Sequence, residues 1–204
     1  MSILLENGNR LRIQDGTSLN AQAVVSGPAI NEDGSSVANF TIVAGSLTSS
    51  GGMIRPTSAA TDSGGYHNTS MANANHYVEV VMVCGADVTD NYNTVIARWD
   101  GTDINAGGTA YFIVNDFGDG ILRKVVAGTF TTIATFAGAF PAGTHTVRLT
   151  VNGNQISASK NGVALGSSPY TDSSITTGTR VGLNLYSLTA ATDVQIDSFV
   201  AYNL

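Results

Sequence analysis

The run Thr146-Val147-Arg148-Leu149-Thr150-Val151 is followed by Asn152-Gly153-Asn154 and then by Gln155-Ile156-Ser157-Ala158-Ser159-Lys160. Polar and apolar residues alternate on both sides of the central Asn-Gly, and this two-residue period is typical of half-buried β-strands. Asn-Gly accepts the positive φ angles of a tight turn. The run therefore predicts an antiparallel β-hairpin.

Similar strand patterns recur at short intervals on both sides of this hairpin. They cover residues 37–43, 53–55, 76–83, 94–99, 109–114, 121–126, 129–136, 163–165, 180–186 and 193–204. A second hairpin is predicted around Ala127-Gly128, and Asn161-Gly162 marks a further turn. No stretch of ten or more residues has a convincing helical period. Short strands separated by frequent turns indicate an all-β sandwich or barrel.

Two segments carry more specific expectations. Residues 57–75 are polar and rich in glycine and serine, which predicts a long surface loop. Residues 76–83 are apolar at both parities after Glu79, which predicts a strand covered on both faces. Cys84 follows directly and is the only cysteine, so we expect a buried thiol and no internal disulfide.

The composition excludes several classes of protein. Of 204 residues, 43% are hydrophobic, which is too many for a disordered acidic chain. Only 12% are charged, whereas a coiled coil would be rich in lysine and glutamate. The net charge is −6, and Arg123-Lys124 is the only adjacent basic pair. Nucleic acids and anionic membrane surfaces attract clustered cations, so we expect binding to neither.

The chain also lacks signals for membrane insertion and export. No window approaches the roughly 18 apolar residues of a membrane span. The segment Met1–Asn7 has neither the basic residues nor the long apolar stretch of a secretion signal. We therefore expect no membrane insertion, and synthesis in the cytoplasm without a signal peptide.

The first eighteen residues contain a short repeat. Residues 3–10 align with residues 11–18, and each unit has an apolar stretch followed by Asn-Gly or Asp-Gly. Such a small meander cannot bury its apolar residues alone. It is either the first hairpin of the main domain or a docking or trimerising arm. The docking residues would be Ile3, Leu4, Leu5, Leu11 and Ile13. This interpretation divides the chain into an arm and linker at 1–36 and a body at 37–204.

The body resembles the concanavalin A-like lectin/glucanase (laminin-G-like) jelly-roll superfamily. The resemblance rests on residues 143–154 (GTHTVRLTVNGN), on Asn161-Gly162-Val163, and on residues 180–183 and 194–202 (VQIDSFVAY). It implies a jelly-roll β-sandwich, which is a structural likeness that does not by itself carry an activity. Residues 1–18 are similar to the "LLENG" segments that open many tailed-bacteriophage structural proteins. That likeness implies a virion protein.

Hydrolytic chemistry is not expected. Glycoside hydrolysis needs two carboxylates, and the glucanase branch places them on one strand as Glu-x-Asp-x-(x)-Glu. Here Glu79 stands alone, with Val81 and Val83 where its partners would be. His67, His76 and His145 have no metal-ligand spacing, so surface or capping roles are expected for the first two and a structural role for the third. We name no catalytic residue and predict that the protein is not an enzyme.

Two binding hypotheses concern the loops around residue 100. Members of the resembled superfamily often carry calcium, and Asp100, Asp103, Asp116 and Asp119 offer oxygen ligands, although Asp and Asn beside glycine also serve turns. No other cofactor is expected. A sugar could stack on an aromatic platform while amides and carboxylates bind its hydroxyls. Core packing is the alternative role for the aromatic platform at Trp99. The candidates are Trp99, Tyr92, Tyr111, Asp100, Asp103 and Asn105.

These observations support two leading functions. The first is a non-enzymatic virion structural protein, either a capsid decoration (cement) protein or a head fibre. It would contact the major capsid protein and form a homotrimer, since decoration proteins occupy symmetry points. The second is a carbohydrate-binding module or a phage tail receptor-binding protein that contacts cell-surface glycans. A glycan-degrading enzyme is disfavoured by the missing carboxylate pair.

Overall fold

The computed structural model describes residues 3–6, 10–13, 27–86 and 91–204, and nearly all its regular elements are strands. In chain order these are β1 (Ile3–Glu6), β2 (Arg10–Ile13), β3 (Ile30–Glu32), β4 (Phe40–Ala44), β5 (Leu47–Ser50), β6 (Met53–Pro56), β7 (Ser63–His67), β8 (His76–Cys84), β9 (Asn91–Trp99), β10 (Ala110–Asp116), β11 (Asp119–Val126), β12 (Thr129–Phe136), β13 (Gly143–Asn152), β14 (Gln155–Lys160), β15 (Val163–Ala164), β16 (Tyr170–Thr171), β17 (Arg180–Ser187) and β18 (Val194–Asn203). Two single-turn 3-10 helices span Ile104–Ala106 and Ala191–Asp193. Within these ranges, no helix is long and apolar enough to cross a membrane.

Two antiparallel sheets form a sandwich. The first sheet has the order β12-β11-β10-β9-β17-β7-β4. The second has the order β15-β14-β13-β8-β18-β6-β5, with β16 paired to β14 and β3 paired to β18. Strands β1 and β2 pair with each other in a separate two-stranded sheet. The predicted all-β jelly-roll sandwich with a short N-terminal hairpin is therefore confirmed.

The predicted turns join the strands that the sequence indicated. In the hairpin quoted first, Asn152 pairs with Gln155 and Gly153 has a φ of 57°. The β11–β12 hairpin turns at Ala127 and Gly128, and the chain turns from β14 to β15 at Asn161 and Gly162. All four residues have positive φ angles, which right-twisted hairpins require at a two-residue turn.

The prediction of a surface loop at residues 57–75 is wrong at the centre of this segment. Residues Ser63–His67 form β7, which pairs with β4 and β17 in the first sheet. The alternation of polar and apolar side chains that marks a strand is absent here. Two glycines occupy positions where another segment of the chain comes close. A Cβ on Gly64 would lie 2.6 Å from Asn184 Oδ1, and one on Gly65 would lie 2.7 Å from the Thr41 carbonyl oxygen.

The core lies between the sheets, and β8 shows how the strands contribute to it. Its residues alternate between buried and half-buried, with Val78, Val80 and Met82 fully buried. Val81 and Val83 lie on the outer face of the second sheet, so the prediction that both faces are covered is wrong. The neighbouring strands β13 and β18 flank β8 and leave this outer apolar row half-exposed.

Three residues with chemically active side chains are buried rather than exposed. His76 accepts a hydrogen bond from the Arg98 backbone N–H at 3.2 Å, and His67 contacts the Glu32 carboxylate at 2.9 Å. Both histidines cap backbone or side-chain groups, but neither is at the surface. Cys84 is buried, as predicted.

Residues 30–32 belong to the sandwich. Strand β3 pairs with β18 through Asn31 and Val200, and Ile30 joins the core at 2% exposure. These residues lie on the arm side of the division at residue 36, so in the structure the body includes them.

Candidate functional site

The strand register brings scattered residues into rows on the outer face of the first sheet. Asn184 pairs with Thr94, which pairs with Val114. In the next row, Tyr186 pairs with Tyr92, which pairs with Asp116. Side chains alternate along a strand, so residues in these rows share one face.

A second apolar cluster fixes the loop that covers part of this face. The 3-10 helix Ile104–Ala106 is capped by Asp103, whose carboxylate accepts the Asn105 N–H. Ile104 is buried against Ile96 and Phe112. The contact between this helix and the sheet forms one wall of an open depression.

The depression has a volume of about 440 Å³, within the usual range for small-ligand sites. Its lining combines aromatic rings with amides, carboxylates and one guanidinium. The lining residues are Asp62, Tyr92, Thr94, Ile104, Asn105, Phe112, Val114, Asp116, Arg123, Phe130, Asn184 and Tyr186.

Asp62 is the centre of a polar cluster at one end of the depression. Its Oδ2 accepts a hydrogen bond of 2.6 Å from Asn105 Nδ2. The Asn184 amide also lies close enough to influence the pKa of this carboxylate. Burial raises the pKa of Asp62 above its ordinary value, and nearby Asp103 acts in the same direction. The amides of Asn184 and Asn105 oppose that shift. The cluster therefore presents a carboxyl group that the Asn105 amide holds in place.

Aromatic rings form another part of the lining of the depression. Tyr92 and Tyr186 lie with ring centroids 5.7 Å apart, at 45° to each other. Phe112 and Phe130 meet edge to face at 5.8 Å, and Phe130 is 42% exposed. At the end opposite Asp62, the Arg123 guanidinium lies 3.6 Å from the Asp116 carboxylate.

Two of the six predicted sugar-contacting residues, Tyr92 and Asn105, line this depression. Trp99 is 1% exposed and donates its indole N–H to the Thr102 carbonyl at 2.6 Å. Tyr111 lies between the sheets, where its hydroxyl donates to Asp172 at 2.7 Å. Neither of these two rings offers a face to solvent.

The predicted oxygen ligands are spread over several turns. Asp100 accepts the Thr102 N–H, Asp103 accepts the Asn105 N–H, and Asp119 accepts the Gly138 N–H. Asp116 faces Arg123 instead. In the described part of the chain, no group of three or more His, Cys, Asp or Glu side chains is arranged to hold a metal ion.

The predicted docking residues lie on the N-terminal hairpin. Ile3 pairs with Ile13, Leu5 pairs with Leu11, and Leu4 lies opposite Arg12. The structure describes only the backbone pairing of these residues. Their role in docking stays a prediction.

Several residues of the depression were missed in the sequence. Asn184 and Tyr186 lie on a strand that was predicted, but nothing in the sequence pairs them with Tyr92. Their alternation along β17 is the available signal. Asp62 lies just before β7, within the segment predicted to be a loop.

Comparison with known proteins identifies the fold but not a family. No family model matches the sequence, and no curated protein is similar to it. Solved structures do match. The chain has a lectin-like sandwich fold.

Three neighbours illustrate this fold. A protein of unknown function with a galectin-like fold from Bacillus subtilis aligns with a TM-score of 0.66 and 11% identity, over 87% of this chain and 96% of that one. The carbohydrate binding module CBM66 from Bacillus subtilis aligns at 0.59 and 15% identity, over 81% and 92%. The VIP36 exoplasmic/lumenal domain, bound to Ca²⁺ and Man3GlcNAc, aligns at 0.61 and 12% identity, over 85% and 86%. At these identities the likeness extends to the fold alone.

Proposed function

We propose that this protein is a non-enzymatic carbohydrate-binding protein that holds a neutral sugar in the depression on the first sheet. The observation that carries this proposal is the Asp62–Asn105–Asn184 cluster beside the Tyr92–Tyr186 pair. A pyranose presents hydroxyls at its rim and C–H groups on its faces, so it needs fixed acceptors next to aromatic surface. Two of the structural neighbours are a carbohydrate-binding module and a sugar-bound lumenal domain, which supports the same use of this fold.

The roles of the residues follow from their contacts. The Asp62 carboxylate is anchored by the Asn105 amide, and its remaining acceptor capacity is available to sugar hydroxyls. Asn105 is exposed at the rim and offers its own amide oxygen. The half-buried rings of Tyr92 and Tyr186 supply the apolar contact. Because the carboxylate is already oriented, binding requires little reordering of the site.

Among the described residues, Asp62 and Asp116 are the two carboxylates that line the depression, and their spacing supports a binding rather than a hydrolytic role. Asp62 directly precedes β7, and Asp116 lies on β10, with β17 and β9 between them. Three strand spacings separate the two backbones by about 14 Å. Glycosidases hold their paired carboxyls about 5–9.5 Å apart. The strand glutamate Glu79 is bound to Arg148 on the other sheet.

A glycan array followed by calorimetric titration tests this proposal. We expect saturable binding of at least one neutral glycan by the full chain, with loss of binding in Asp62→Asn. Asp197→Asn serves as the matched control, because it removes the same charge from an exposed position on β18. Equal binding by wild type and Asp62→Asn, or no glycan binding by wild type, would contradict the proposal.

A second candidate function is display on a virion, and it rests on the N-terminal hairpin. Strands β1 and β2 pair only with each other in the described sheets. A two-stranded hairpin is marginal alone in water, so a partner surface would stabilise it. Under this proposal the hairpin attaches a homotrimer to a phage capsid, as a decoration protein or head fibre, and the sandwich faces outwards.

Removal of residues 1–18 tests this attachment. The truncated chain is expected to unfold at the same temperature as the full chain. It should no longer co-sediment with purified phage particles. Undiminished co-sedimentation of the truncated chain would refute the docking role.

A further inference from the structure

The turn between β10 and β11 carries an unusual residue. Asp116 pairs with Asp119, so Phe117 and Gly118 form a two-residue turn with φ angles of 55° and 84°. A bulky aromatic residue rarely adopts a positive φ, because its Cβ crowds the backbone there. The equivalent turn at Asn161 and Gly162, with φ angles of 50° and 78°, has the residues that this geometry favours.

The surrounding structure holds Phe117 in this conformation. Asn115 is 2% exposed, and its side-chain oxygen accepts the Gly118 N–H at 3.1 Å. Its amide group donates to Cys84 Sγ at 3.3 Å. The Gly118 carbonyl accepts the Phe140 N–H at 2.8 Å. A strained residue persists only when its neighbours fix it, and such residues concentrate at ligand-binding sites.

The Phe117 ring extends the aromatic surface of the depression. It is 49% exposed and meets Tyr92 edge to face, with ring centroids 5.8 Å apart. Tyr92 in turn contacts Tyr186. The three rings therefore form a continuous strip that begins inside the depression and ends outside it. This continuity distinguishes Phe117 from an isolated exposed apolar residue.

We propose that Phe117 forms a second subsite, which packs against the next sugar unit of a bound chain. The site would then prefer a neutral oligosaccharide of two or more units to a monosaccharide. This inference rests on the proposed function and assigns its substrate class. The fixed turn presents the ring before the ligand arrives, so stacking carries little ordering cost.

Replacement of Phe117 by asparagine separates binding from folding. Asparagine occupies the equivalent position 161, so F117N should melt at the same temperature as wild type or higher. The calorimetric titrations use two forms of the glycan that binds on the array, its single sugar unit and a chain of four units. F117N should bind the tetrasaccharide about five- to tenfold more weakly than wild type does. Its affinity for the monosaccharide should not change. F117Y keeps the ring and should keep the tetrasaccharide affinity.

Ala127→Asn is the matched turn control. Ala127 occupies the same position in the β11–β12 turn with a φ of 48°. This variant should therefore change the stability of the protein but not its affinity for the monosaccharide or the tetrasaccharide. Unchanged tetrasaccharide affinity in a folded F117N would overturn the subsite and leave the proposed function intact. An equal loss for both sugars would also overturn it, because Phe117 would then belong to the first subsite. If wild type binds neither sugar, the proposed function fails and the subsite fails with it.

Discussion

Asp62 and Asn105 are 43 positions apart, yet Asn105 Nδ2 donates a 2.6 Å hydrogen bond to the Asp62 carboxylate. One residue precedes β7 near an edge of the first sheet, and the other belongs to the 3-10 helix that covers part of the same sheet. The bond joins these two segments, and both residues line the depression. It also keeps a partly desolvated carboxylate in a fixed position, which has consequences for stability as well as for binding.

Asp62→Asn should increase stability while it abolishes sugar binding. Burial raises the pKa of Asp62, so the folded state holds this proton more strongly than the unfolded state does. The stabilising contribution of the group is present at low pH and is lost as the pH rises through its folded pKa, so the ionised form costs stability at neutral pH. Thermal unfolding at pH 7 should show an increased Tm for Asp62→Asn and no change for Asp197→Asn. A marked decrease in Tm would show that the cluster is structural rather than functional.

His76 should make the fold sensitive to mild acid. Burial lowers the pKa of His76 to about 4 from its ordinary value of 6.5. The unfolded state therefore binds a proton more readily, so the contribution of His76 is present above pH 6.5 and is lost as the pH falls towards 4. We expect a loss of about 2 kcal/mol in the free energy of unfolding between pH 7.5 and pH 5. Urea unfolding at both values measures it. The free energy of unfolding of His76→Gln should change much less between the two pH values. If it decreases as much as that of wild type, His76 is not the source of the pH dependence.

Tyr111 should contribute to stability through its hydroxyl. That group donates to Asp172 at 2.7 Å and accepts the Ile175 N–H at 3.1 Å, between the sheets. Tyr111→Phe removes both bonds and should lower the free energy of unfolding by about 1–3 kcal/mol. Tyr202→Phe, at a half-exposed position, is the control and should stay within about 0.5 kcal/mol of wild type. Equal effects of the two substitutions would show that the Asp172 contact contributes nothing.

Cys84 should be chemically inert in the folded protein. Burial raises the pKa of its thiol to about 11, although Asn93 and Asn115 donate hydrogen bonds to the sulfur. The thiolate is the reactive form, so little of it exists at neutral pH. Ellman's reagent at pH 7.5 should label the thiol only after denaturant is added. Rapid stoichiometric labelling of the native protein would contradict this burial.

The sequence predicted the sandwich because its hairpins carry local signals. Asn152-Gly153 and Asn161-Gly162 fix turns through residues that tolerate positive φ, and alternation defines the strands around them. Strand β7 was not predicted because its glycines carry no strand signal. Gly64 and Gly65 are needed where Asn184 and Thr41, which lie far away in the chain, come close to the backbone.

The binding site was less accessible to prediction for the same reason. Tyr92 and Asn105 were named from their local composition, but Asp62 and Asn184 meet them only through the register of β7, β17 and β9. Trp99 had the residue type of a sugar platform. Its indole is instead enclosed by Tyr66 and the loop at Thr102. Residue type does not reveal which aromatic ring the tertiary fold leaves exposed.

Mapping of a bound glycan by NMR tests the central claim most directly. Titration of the isotope-labelled chain with the best array ligand should shift the amide signals of Asn105, Asn184 and Tyr92, and those of Phe117 for a longer ligand. Signals on the outer face of the second sheet, such as those of Tyr77 and Tyr202, should not move. Shifts confined to the second sheet, or none with any glycan on the array, would contradict carbohydrate binding in this depression.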